Sequence, residues 1–173
     1  MASTGTDSEL ANFLAHSLEL ESEARERYAE LADSMDAHHN RPVAEFFRRM
    51  AGEAEHHLQE VAGLAGPMTL PALKAWEFDW PDAEPPETAS YEALHYRMSL
   101  RQAMTLALAN EHAAERYYRE FAKRSADAGT AAVATRFADE ERGHAAQLER
   151  MIAALPANGA HLLEEDDEPH MPE

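Results

Sequence analysis

Two short motifs in the chain pair a carboxylate with an imidazole at helical spacing: Glu53-Ala-Glu-His56 and Glu141-Arg-Gly-His144. Residues three apart lie side by side on a helix face, so each motif can offer a carboxylate oxygen and an imidazole nitrogen to one ion. Two further glutamates, Glu21 and Glu111, open matching octets, ESEARERY over 21–28 and EHAAERYY over 111–118. Glu111 follows Glu21 by 90 positions and Glu141 follows Glu53 by 88, so the two halves of the chain repeat each other. Four carboxylates and two neutral imidazoles carry a charge of −4, which two divalent cations would neutralise. Oxygen and nitrogen donors of this kind suit iron or manganese; zinc would bind as well but brings no redox chemistry.

The elements that must position these residues read as helices. Ala, Leu, Glu and Arg dominate and β-branched residues are scarce, which favours helix throughout. The spacing predicts a first helix capped by Asp7 or Ser8 and running to about Met35, with Leu10, Leu14, Ser17, Glu21, Ala24, Tyr28, Leu31 and Met35 on one face. A second, with Pro42 in its first turn, faces Val43, Phe46, Met50, Glu53, His57 and Leu64 inward and ends at Gly66-Pro67. A third starts near Ser90 and carries Leu100, Met104, Ala107, Glu111, Ala114, Tyr118 and Phe121. The fourth opens at Gly129-Thr130, carries Ala134, Phe137, Glu141, His144, Leu148, Met151 and Leu155, and stops at Pro156. One glutamate thus falls in each apolar stripe. An unpartnered buried carboxylate costs several kcal/mol, so four in register call for a common partner.

Short connections make each helix pair an antiparallel hairpin, giving an all-α, antiparallel four-helix bundle over residues 1–155. Between helices 2 and 3 lies a long crossover, about 67–88, with five prolines and the aromatics Trp76, Phe78 and Trp80, read as a strap along the bundle. Residues 156–173 form an acidic tail with the run Glu164–Glu168, read as disordered.

Lys and Arg total 15 against 33 Asp and Glu, a formal charge of −18, which argues against nucleic acid or an anionic membrane as partner. With no cysteine, disulfides, thiolate catalysis and iron–sulfur clusters are excluded. No apolar run reaches the length of a membrane span and the N-terminal stretch has no signal-peptide pattern, so a cytoplasmic location is expected.

On ESEARERY, EAEH (53–56), EHAAERYY and ERGH (141–144), the chain over about 8–155 resembles the ferritin-like superfamily, within it the rubrerythrin and bacterioferritin group. The resemblance implies a di-iron site with Glu21 and Glu111 as terminal ligands, Glu53 and Glu141 as bridging carboxylates, and His56 and His144 as one imidazole per iron. Tyr28 and Tyr118, two turns beyond the terminal glutamates, face the same interior and are read either as hydrogen-bond donors to the carboxylates or as packing aromatics. His57, four residues from Glu53, competes with His56; the repeat decides for His56, since the counterpart of His57 is Ala145. His57 then stands behind the ligands or lines the way in. Glu60 marks either a transit site or an exposed acid, and His16 and His112 are read as surface residues. Gly52 and Gly143, each beside a ligand, either permit close helix approach or are tolerated surface glycines.

The chain departs from the group it resembles. Rubrerythrins use an extra glutamate where this chain has Ala114, with Glu115 one residue further as a partial substitute, and they append an iron–tetracysteine domain that this cysteine-free chain does not hold. Bacterioferritins bind haem through a methionine where this chain has Ala54, so no haem is expected. The expected function is a non-haem di-iron oxidoreductase that reduces O2 or H2O2 as Fe2+ is oxidised, of ferroxidase or peroxidase type, with an external electron donor for turnover. The alternative is a non-enzymatic iron carrier or storage protein. A homodimer is expected, with Phe47 and Leu58 as off-stripe apolar residues for the contact.

Overall fold

The computed structural model describes residues 6–73 and 96–157, and among them four helices and no strand. Helix α1 spans Thr6–Ala37, α2 Arg41–Ala65, α3 Leu100–Arg124 and α4 Ala128–Ala154. The hairpins are α1 with α2 and α3 with α4; they meet where α2 packs on α3 and α1 on α4, leaving α1/α3 and α2/α4 as the diagonals of the bundle.

Local chemistry explains the ends. The α1–α2 turn passes through His39 at a positive φ of 61°, and Pro42 occupies the first turn of α2, where no amide donor is missed. The Asn40 side chain donates to the carbonyls of Tyr96 (3.1 Å) and Met98 (2.8 Å), tying this turn to the approach to α3. Gly66 ends α2 at φ 49°, its amide bonded to the Ala62 carbonyl. The α3 start near Ser90 is corrected: residues 96–99 are non-helical, and Ser99 closes a capping box with Gln102, at 3.1 Å to the Gln102 amide and 2.9 Å back. Asp127, two residues ahead of the expected opening, caps α4 through the amide (2.8 Å) and hydroxyl (2.7 Å) of Thr130. These bonds hold its carboxyl below the usual range.

The apolar core is in two parts. One gathers residues such as Tyr28, Met35, Val43, Phe47, Met104 and Leu148; the other Phe13, Leu14, Val61, Tyr118, Ala134 and Phe137. On every helix the stretch between the two parts contains the buried or half-buried acids and imidazoles. Phe47 is wholly buried in the first cluster and stacks on Tyr28, which removes it as a surface for self-association. The face of α2 also differs from the expected one. Val43, Phe46, Phe47, Met50, Ala54, Val61 and Ala65 are buried, whereas Leu64 is 38% exposed. The crossover aromatics and residues 158–173 of the tail lie outside the described residues, and no described helix is long and apolar enough to cross a membrane.

Candidate metal centre

Between the two apolar clusters, one carboxylate from each of α1, α3 and α4 turns inward. Glu21, Glu111 and Glu141 are 6%, 9% and 4% exposed. Two imidazoles join them, His57 from α2 and His144 from α4. The Nδ1 of His57 lies 3.4 Å from Glu21 Oε1 and 3.4 Å from Glu141 Oε1. The Nδ1 of His144 lies 3.7 Å from Glu111 Oε2 and 3.6 Å from Glu141 Oε2. The two rings stack across the α2/α4 diagonal with centroids 4.8 Å apart. Glu141 therefore presents one oxygen to each of two halves, Glu21 with His57 and Glu111 with His144.

Charge and burial act strongly on this cluster. Burial, with Glu141 beside it, pushes the Glu111 carboxyl up to about 8. Glu21 is raised by burial as well, against the lowering influence of His57. Burial would also raise Glu141, but hydrogen bonds from Glu111, His144 and His57 hold it below the usual carboxylate range. His144 is raised to about 10 by Glu111 and Glu141. For His57, burial works downward, yet its contacts with Glu141 and Glu21 carry it to about 11. The acids and imidazoles thus compensate one another with protons that a cation would displace.

Around the cluster, Tyr118 donates its hydroxyl to Glu21 Oε1 at 3.3 Å, and its own ionisation is raised by burial and by that acid. Tyr28 instead accepts from the Asn110 amide at 3.0 Å. Glu115 points away to Arg119 (3.1 Å) rather than substituting for an acid at Ala114. His112 pairs with Glu149 at 3.6 Å on the surface, whereas His16, read as a surface residue, is buried and bonds the Asn12 carbonyl at 2.8 Å.

Of the six residues the resemblance implies as ligands, the structure brings together four: Glu21, Glu111, Glu141 and His144. Glu53 and His56 are not in the cluster. The Glu53 side chain is 33% exposed and faces Arg49 at 3.3 Å, and His56 is exposed. The reason is the register of α2. A helix turns about 100° per residue, and the stripe Phe47, Met50, Ala54, Val61, Ala65 seats Ala54 and His57 inward in place of Glu53 and His56. Val61 and Ala65 were the available signal for this register. Glu60 is exposed, and a donor atom of it comes within 4.8 Å of His57 and Glu140. A Cβ at Gly52 or Gly143 would meet nothing within 4 Å, so neither glycine serves a close helix approach.

Three buried carboxylates and two imidazoles converging from all four helices fit a metal held by oxygen and nitrogen donors, as His57, Glu141 and His144 already do as a compact donor group. The fold and the cluster together define a carboxylate-rich four-helix bundle of the ferritin-like, iron-handling kind. Residues 12–101 and 102–168 match the family model for rubrerythrin. The chain is 38% identical to an uncharacterized conserved protein from Magnetospirillum magnetotacticum MS-1, whose crystal structure aligns with a TM-score of 0.66 over 84% of this chain and 95% of that one. No curated protein matches. The chain belongs to the rubrerythrin family, whose members typically hold two irons.

Proposed function

We propose that the protein is a non-haem iron oxidoreductase that reduces O2 or H2O2 as ferrous iron is oxidised, working in the handling of iron and of oxidative stress. The observation that carries this reading is the convergence of Glu21, Glu111, Glu141, His57 and His144 in a buried band between two apolar clusters. When bound there, two iron ions would supply the electrons for oxygen or peroxide reduction.

The chain's own residues set the conditions. Glu141 offers an oxygen to each half, and each half adds one carboxylate and one imidazole. His57 and His144 would give up their protons to bind a cation, and Tyr118 holds Glu21 in orientation through its hydroxyl. The flanking apolar clusters leave the three carboxylates almost wholly buried, while His144 stays 27% exposed at the side chain. Turnover draws on an external reductant, because oxidation of the iron consumes its electrons.

Anaerobic loading with Fe2+ followed by stopped-flow mixing with H2O2 or O2 tests the reading. Rapid oxidation, repeated on adding reductant, is the expected result; a site that loads and never oxidises overturns it in favour of an iron carrier. Oxidation without turnover, with iron accumulating as mineral, assigns the ferroxidase rather than the peroxidase type.

A further inference from the structure

The two halves of the cluster are joined by one protein carboxylate. On α4 the inward pair is Glu141 and, three residues on, His144. On α2 the pair at the same spacing is Ala54 and His57, with Ala54 buried at 6% exposure. A methyl group has no donor atom, so the place that Glu141 fills on α4 is filled on α2 by a side chain that cannot bind. The glutamate beside it, Glu53, is turned toward solvent and Arg49.

We propose that, among the described residues, Glu141 alone is shared by the two halves of this metal centre, which therefore binds two divalent cations with unequal affinity. The inference rests on the reading of the cluster as a metal centre. The Glu21/His57/Glu141 half and the Glu111/His144/Glu141 half compete for the charge of one shared carboxylate. The three carboxylates of the band give −3 against +4 for two divalent ions, and the nearby Glu60 and Glu140 lie beside the His57 half, so the second ion enters a band that does not by itself neutralise it. A fourth carboxylate at position 54 would restore neutrality. Glu53 and His56, facing outward, contribute to neither step.

The test is calorimetric titration of the metal-free full chain with Co2+, followed in parallel by the visible absorption of the bound ion. We expect two steps, the second weaker than the first by at least about tenfold, because one uncompensated unit charge a few ångströms away is worth that much even when well screened. Glu53→Gln and His56→Gln should leave both steps within about twofold, since they remove no donor. Ala54→Glu should strengthen the second step by about tenfold or more. His57→Gln, which keeps the size of the side chain, should weaken one step and spare the other, and it stands in for Ala54→Glu if that larger side chain unfolds the bundle. Loss of an ion in Glu53→Gln or His56→Gln overturns the inference while leaving the metal centre intact, as do two equal steps in the parent chain. Absence of any Co2+ binding overturns the metal centre itself.

Discussion

Raising the pH should destabilise the metal-free protein far more than the metal-loaded one. His57 and His144 titrate near 11 and 10 in the folded chain, from an ordinary 6.5, and Glu111 near 8, from 4.5. All three folded values are raised. Their stabilising contribution is therefore complete below the unfolded pKa values, and it is lost as pH climbs through the folded ones. Glu141, held low, acts in the opposite sense only below about pH 4.5 and leaves the window above neutrality untouched. Between pH 7 and 8 the folded chain binds roughly 2.5 more protons than the unfolded chain, which corresponds to a loss of at most roughly 3–4 kcal/mol per pH unit, and less with solvent screening of the partly exposed His144. For a chain of this size that is a fall in melting temperature of about 5–10 °C from pH 7 to pH 8. Bound cations replace these protons, so the loaded protein should melt at nearly constant temperature over the same range. The assay is thermal denaturation of chelator-treated and metal-loaded protein at pH 6.5–9. An apoprotein melting temperature that is flat or rising with pH would refute the electrostatic account of the cluster.

Three substitutions probe other parts of the account. Tyr118→Phe removes the donor to Glu21 and should cost about 1 kcal/mol of apoprotein stability, read by urea denaturation. Phe47→Ala empties a fully buried site packed on Tyr28 and Phe46 and should cost about 3–5 kcal/mol without producing any change in oligomeric state by light scattering. Gly52→Ala and Gly143→Ala put a methyl into open space on helices and should each raise stability by about 1 kcal/mol while leaving metal stoichiometry as it was.

Much of this centre was legible in the sequence because three of its helices leave little freedom. In α1, α3 and α4 the glutamate sits on an unambiguous apolar stripe, Leu14–Glu21–Tyr28, Met104–Glu111–Tyr118 and Phe137–Glu141–Leu148, and all three acids are buried. Helix α2 was harder. Glu53, Glu55, His56, His57 and Glu60 crowd two turns, so a shift of one position changes the donors while most of the apolar residues still fit a stripe. The repeat with Glu141 and His144 favoured Glu53 and His56; packing of Phe47, Val61 and Ala65 selected His57. The start of α3 went astray for a simpler reason. Helix-forming residues continue upstream of Ser99, and only the Ser-x-x-Gln spacing marks the cap.

The central claim is that these acids and imidazoles form a metal centre, and anomalous diffraction from crystals loaded anaerobically with Fe2+ tests it most directly. The account predicts iron peaks within coordination distance of Glu141, His57 and His144. Iron found only at surface acids such as Glu60 and Glu140, with none at Glu141, would contradict it.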